Sequence, residues 1–214
     1  MKAILKAILF SLPLFVVAAG AAETPKAHSA PMATETAKAT ATREVLRDLW
    51  ADHIFWVRNV VMATAAKNAL ERKTAEAQVV VNAKAIAGAI EPYYGKAASD
   101  QMFTLLAGHW GAIKAYLDAT FAGNEANTAK ALKDLNDNAV AISTFLSGAN
   151  PYLPKDTLVG LLTAHGAHHV AQIREVHAGE FDKEAVNWGV MRAHMNTIAD
   201  ALVGGIAKQF PDKF

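Results

Sequence analysis

Apolar and polar residues alternate with the period of an α-helix from Arg43 to the end of the chain. In three segments, apolar residues recur every three, four and seven positions, which places them on one helix face. These segments are residues 45–64, 102–117 and 158–173. Three more helical stretches each end at a proline, which lacks an amide donor and disfavours helix in the residue before it. These prolines are Pro92, Pro151 and Pro211. Since no segment alternates like a strand, the pattern predicts an all-α protein of six helices with short connections and antiparallel neighbours.

The same residue types return at an interval of 56 residues. His53, His109 and His165 are one interval apart, and each follows a leucine by four residues. Isoleucines at 86, 142 and 198 keep this interval, and positions 82, 138 and 194 hold Asn, Asn and His. One unit of this length contains two helices, so the interval predicts three copies of a helical hairpin. We expect a single closed six-helix bundle, because an open stack of three units would leave apolar faces uncovered.

The repeated histidines lie on the apolar stripes, where each buried imidazole needs hydrogen-bond partners for its ring nitrogens. A single histidine there is usually an ordinary core residue, but three equivalent helices would bring three imidazoles together. A metal ion would then accept one nitrogen from each ring. The predicted ligands are His53, His109, His165, His169 and His194. Because an all-nitrogen site suits zinc, copper, nickel or iron, a divalent transition metal of this group is the expected cofactor.

Other functions fit parts of the same pattern. A metal-dependent enzyme would keep an open coordination position beside a pocket. A structural or partner-binding bundle would use the histidines only for hydrogen bonds across the core, and a haem b could be held by two of them.

The formal net charge of +1 argues against nucleic acid as a partner. The absence of cysteine excludes thiolate ligands and disulfides. Glu-x-x-His pairs, a His-Glu-x-x-His motif and phosphate-binding glycine loops are also absent.

The first residues have the pattern of a secretory signal peptide. Lysines at positions 2 and 6 precede an apolar run and then small residues suited to a signal peptidase. The predicted boundaries are a signal peptide over 1–22, a flexible leader rich in Ala, Thr and Pro over 23–42, and the helical domain over 43–214. This division predicts a periplasmic or secreted bacterial protein that is free of the membrane once the signal is cleaved.

The segments "LWADHIFWVRNV", "LLAGHWGAIKAYLDATFAGN", "NDNAVAISTFLSGANP" and "LLTAHGAHHV" make the chain resemble a bacterial family of small all-helical proteins. The family pattern includes H-x-x-W-x-R, which corresponds to His53, Trp56 and Arg58, and helices that each carry a histidine. The resemblance implies histidines at 53, 109, 165 and 194 and asparagine at 138, whereas His168 and His169 depart from the pattern. Some members carry the label glycosyltransferase. This chain shows no nucleotide-binding α/β domain that such an activity would need.

Overall fold

The computed structural model describes residues 36–214, and within them the chain is helical and contains no strand. A single-turn helix, α3, lies between the second and third long helices, and a short 3-10 turn closes the chain. The helices are α1 (Ala37–Ala65), α2 (Ala69–Gly88), α3 (Glu91–Tyr94), α4 (Lys96–Phe121), α5 (Glu125–Ala149), α6 (Lys155–Ala178) and α7 (Phe181–Gln209). The predicted all-α bundle of six long helices is therefore confirmed.

The six long helices form a closed ring of neighbours. Consecutive helices pair as α1 with α2, α4 with α5, and α6 with α7, and each pair is joined by a short turn. Further contacts join α2 to α4, α5 to α6, and α7 back to α1, while α6 also touches both α1 and α4. Since short turns reverse the chain direction, α1, α4 and α6 run the same way through the bundle. Residues at matching positions on these three helices therefore lie at a similar height.

The turn inside each pair has the same construction. Lys67, Gly123 and Gly179 have left-handed backbones with φ of 54°, 66° and 73°, and they are one 56-residue interval apart. In the first two turns the next residue caps the following helix: Asn68 accepts a hydrogen bond from the Glu71 amide, and Asn124 accepts one from the Asn127 amide. These turns fall on the interval that the sequence suggests. The repeat of whole hairpins stays a prediction.

Helix α1 begins earlier than the sequence pattern indicates. The sequence pattern predicts a leader that continues to residue 42, whereas the helix starts at Ala37. The physical reason is local: the Thr36 side chain accepts a hydrogen bond from the Ala39 amide, and the residues that follow include strong helix formers. The predicted signal peptide and the rest of the predicted leader lie outside the described residues.

The apolar core consists of two layers with histidines between them. One layer includes Trp50, Ile54, Leu106 and Leu162, and the other includes Val57, Ile113 and Ile173. Along α1, α4 and α6, a histidine lies at the point where the chain passes from the first layer to the second. The bundle therefore carries a buried polar layer across its middle.

Candidate metal centre

Three helices each contribute one buried imidazole to the same point. His53 on α1, His109 on α4 and His165 on α6 are only 3%, 3% and 1% exposed. One ring nitrogen of each lies within 4.8 Å of the corresponding nitrogens of the other two. The ring centroids are 6.2 Å apart for His53 and His109, and 5.5 Å apart for both pairs that include His165. The sequence prediction that these three histidines converge is thus met, and the arrangement could hold a metal ion.

His169 lies one helical turn after His165 and borders the triad. It is fully buried, and its ring centroid is 4.5 Å from that of His165 and 5.7 Å from that of His53. It is the fourth imidazole of a continuous buried cluster, which we call the histidine cluster (His53, His109, His165 and His169). Its position at i+4 from His165 lets one helix present two nitrogens to one side.

The ring nitrogens of the cluster are largely without partners in the protein. Both nitrogens of His53, His165 and His169, and Nε2 of His109, are buried and make no hydrogen bond. An unpaired buried polar group costs about 1–3 kcal/mol, so this number of unpaired nitrogens is unusual for an ordinary core. It is the expected appearance of a site whose nitrogens bind something other than protein.

Burial keeps these imidazoles neutral. Desolvation, assisted by the nearby His109, lowers the pKa of His53 to about 3. Desolvation lowers the pKa of His109 to about 4, against a smaller opposing effect of its hydrogen bond to Asn138. The pKa values of His165 and His169 are also held well below the usual 6.5, first by burial and then by the neighbouring histidines. Neutral imidazole is the form that coordinates a metal ion.

Asn138 fixes the orientation of His109. Its amide nitrogen Nδ2 donates to the Leu105 carbonyl over 3.0 Å, so its Oδ1 must be the atom that faces His109. Nδ1 of His109 lies 3.2 Å from that oxygen. Because an amide oxygen only accepts, the imidazole proton lies on Nδ1, and Nε2 keeps a lone pair for a metal ion. This is the arrangement by which outer residues usually orient metal-binding histidines.

The same cross-helix hydrogen bond occurs in all three helix pairs. Asn82 Nδ2 donates to the Leu49 carbonyl over 2.9 Å, and His194 Nε2 donates to the Leu161 carbonyl over 2.8 Å. Each donor follows its acceptor by 33 residues, as Asn138 follows Leu105. Asn82 differs from Asn138 in one respect: its Oδ1 is buried and unpaired, as is Nδ1 of His53.

His194 does not belong to the cluster. The sequence proposes it as a ligand, but its Nε2 is engaged by the Leu161 carbonyl and its ring lies 5.5 Å from His168. His168 in turn pairs with Asn187, whose Oδ1 is 2.9 Å from its Nδ1. Position 194 corresponds to Asn82 and Asn138 in the 56-residue interval, which explains why its side chain makes their contact instead of joining His53, His109 and His165.

A half-buried ion pair is linked through Gln172 to the neighbourhood of His169, and the sequence does not reveal it. Glu184 on α7 is 1% exposed and binds Arg58 through both carboxylate oxygens, at 2.6 and 2.7 Å. Gln172 Nε2 donates to the same carboxylate over 2.9 Å, which leaves Gln172 Oε1 buried and unpaired. Arg58 lies within the H-x-x-W-x-R pattern. Glu184 stands in the first turn of α7, where an acidic residue usually needs no special explanation, so sequence reasoning missed it.

The space beside the cluster is small and apolar. A cavity of about 20 Å³ is lined by His109 and His165 together with Trp50, Met102 and leucines of α4 and α6. That volume accommodates about one water molecule, whereas small-molecule pockets measure about 300–1,000 Å³. The interior of the described part of the chain therefore offers no room for an organic substrate or a porphyrin at the histidines.

Comparisons with known proteins assign neither a family nor a function to the chain. No protein-family model, no curated protein and no solved structure matches the chain. The family resemblance noted from the sequence therefore stays a prediction. Among the helices of the described residues, none combines the length and the apolar character needed to cross a membrane.

Proposed function

We propose that this protein binds one transition-metal ion in its histidine cluster and serves as a metal-binding, storage or sensing protein. One observation carries the proposal: one ring nitrogen from each of His53, His109 and His165, on three different helices, lies within 4.8 Å of the other two. Five of the six ring nitrogens of these residues have no hydrogen-bond partner in the protein. A tetrahedral ion with metal–nitrogen bonds of about 2.0–2.1 Å would place its ligand nitrogens about 3.3 Å apart. Closing the rings onto an ion would shorten these separations by up to about 1.5 Å.

His169 supplies the fourth nitrogen in this proposal. Gln172 is a neighbour of His169, and its Oε1, which is unpaired, would accept from one ring nitrogen of His169, since Gln172 Nε2 already donates to Glu184. The other ring nitrogen is then free to coordinate. A four-nitrogen, fully buried shell is typical of a closed site that retains its ion. The small adjoining cavity supports this interpretation over that of an enzyme with an open substrate position. A periplasmic or secreted location, proposed from the first residues, would give such a protein access to extracellular metal.

The proposal is tested by metal analysis of untagged protein purified without chelators and, separately, reconstituted with each candidate metal. We expect one ion per chain. Replacement of His53 and His109 together by Ala should abolish it, because two of the four nitrogens are lost. His177→Ala is the matched control, since His177 is exposed near the end of α6. Circular dichroism checks that the helices are retained. The same metal content in the double variant as in the unmodified protein would overturn the proposal and favour a purely structural role for the histidines.

A further inference from the structure

The electric charge around the histidine cluster restricts which ion it can hold. Among the described residues, the group of side chains that could ligate a metal at this point consists of histidines only. A coordinating imidazole is neutral. The imidazoles of His53, His109 and His165, and that of His169 beside them, therefore offer no negative charge to offset that of an ion.

The buried carboxylate of the described residues that could compensate an ion is already paired. Glu184 is the only carboxylate among the buried side chains of the described residues. Both of its oxygens are held by Arg58, at 2.6 and 2.7 Å, and one also accepts from Gln172. This ion pair is close to neutral as a unit, so it contributes little attraction to a cation in the cluster.

The groups that orient the imidazoles are also uncharged. Oδ1 of Asn138 faces His109, and the unpaired oxygens of Asn82 and Gln172 belong to carboxamides. Many metal sites place a carboxylate at this position, where it adds negative charge and makes the imidazole a stronger ligand. Carboxamides accept the same proton and supply neither effect.

The side chains around the cavity are apolar, and one of them carries a sulfur atom, which is a soft metal ligand. Trp50, Leu106 and Leu162 face the cavity beside His109 and His165, and the thioether side chain of Met102 lines it as well. The penalty for burying an ion in such surroundings rises with the square of its charge, so a doubly charged ion is penalised about four times as much as a singly charged one. Copper is well suited to imidazole, and thioether sulfur favours its singly charged form.

From these observations we propose that the histidine cluster is selective for a singly charged soft cation, Cu(I), over divalent ions such as Zn(II). The inference rests on the proposed metal-binding function and names the ion that the site prefers. Three or four neutral nitrogens satisfy Cu(I) without any anionic ligand. A divalent ion would leave two uncompensated charges inside the bundle.

The test is a pair of competition titrations of the metal-free, untagged protein, carried out without oxygen. One uses Cu(I) against a Cu(I) chelator of known affinity, and the other uses Zn(II) against a Zn(II) chelator. Ag(I), which is singly charged and does not change oxidation state here, serves as a second probe. We expect the Kd for Cu(I) to be lower than that for Zn(II) by at least about 100-fold. A Kd for Zn(II) equal to or below that for Cu(I) would overturn the selectivity and leave the proposed function standing, whereas failure of every metal to bind would overturn the proposed function itself.

A variant that adds a negative charge beside His109 tests whether charge is the cause of the selectivity for Cu(I). Asn138→Asp places a carboxylate where the amide oxygen now faces His109, so it should narrow the preference for Cu(I) over Zn(II) by about 10-fold or more. Asn127→Asp makes the same change of charge at an exposed position on α5 and should leave the ratio unaltered. The ratio of the two Kd values, measured on one variant, is insensitive to a shared loss of stability. An unchanged ratio in a folded Asn138→Asp protein would contradict the charge argument.

Discussion

Single side chains fix the orientation and the proton position of a cluster histidine. Asn138 shows this most clearly, because its amide nitrogen is committed to the Leu105 carbonyl and its oxygen must therefore accept from His109. The result is a defined tautomer with a free Nε2. Asn82 holds the corresponding carbonyl of Leu49 in the same way and has its oxygen unpaired. Asn82 follows His53 by 29 residues, the same separation as between Asn138 and His109.

In the metal-free protein, we predict that His109 carries its proton on Nδ1. Nitrogen-15 NMR of the histidine rings distinguishes the two tautomers directly and does not depend on metal binding. Asn138→Leu should abolish the preference of the His109 proton for Nδ1. It should also destabilise the fold by about 1–3 kcal/mol, because the Leu105 carbonyl loses the hydrogen bond from the Asn138 side chain. Asn127→Leu, at an exposed site on the same helix, controls for the loss of an amide. A proton on Nε2 of His109 in the unmodified protein would contradict the assignment.

At the scale of helices, the turns between paired helices offer a direct test of the local structure. Lys67 adopts a left-handed backbone with φ of 54°, at the position where the other two turns have Gly123 and Gly179. This conformation is unfavourable for a residue with a Cβ atom. We therefore expect Lys67→Gly to stabilise the protein by about 0.5–1 kcal/mol.

Lys73→Gly is the matched control, because Lys73 is exposed within helix α2 and glycine there should destabilise by about 1 kcal/mol. Both effects are measured as changes in the free energy of unfolding in urea. The same replacement should thus raise the free energy of unfolding at one exposed lysine and lower it at the other. A loss of stability in Lys67→Gly as large as that in Lys73→Gly would contradict the described turn.

Much of the helical architecture follows from the sequence because helix periodicity and capping are local. The apolar stripes predict the long helices, and the three prolines lie close to the observed ends of α2, α5 and α7. The sequence pattern places the start of α1 too late, because Thr36 caps the helix within a stretch whose composition is typical of a leader. Periodicity locates the face on which a residue lies, but it does not identify the residue's partners.

The candidate site could be predicted only in part for the same reason. The convergence of His53, His109 and His165 follows from equivalent positions on equivalent helices. His194 shares the apolar stripe, yet the Leu161 carbonyl engages it, and only the packing of α6 against α7 reveals this. The roles of Gln172 and Glu184 likewise follow only from contacts between α1, α6 and α7. Side-chain contacts between distant segments leave no periodic signal in the chain.

At the scale of the whole molecule, a polar layer of histidines separates two apolar layers, and we expect this layer to make the fold sensitive to acid. The pKa values of the four cluster histidines are lowered by burial in the folded protein, to about 3 for His53 and about 4 for His109. In the unfolded chain, histidine takes up its proton near pH 6.5. Below that pH the unfolded state binds more protons than the folded state, so stability rises with pH and falls as the solution is acidified.

We expect the metal-free protein to lose stability from about pH 6.5 downward, at up to about 1.4 kcal/mol per pH unit for each cluster histidine. Urea unfolding at a series of pH values measures this slope. Replacing His53 and His169 by Leu should flatten the slope, since two of the four groups are removed, whereas His177→Ala should leave it nearly unchanged. A free energy of unfolding that stays constant between pH 7 and pH 5 would show that these imidazoles are not held neutral in the folded state.

Whether three helices hold one ion between their histidines can be seen in a crystal structure of the metal-loaded protein, with anomalous diffraction collected at the absorption edge of the bound metal. We expect one anomalous peak per chain, about 2.0–2.1 Å from a ring nitrogen of each of His53, His109 and His165. A peak located elsewhere, or a fully loaded protein whose three rings bind only protein groups, would rule out this site.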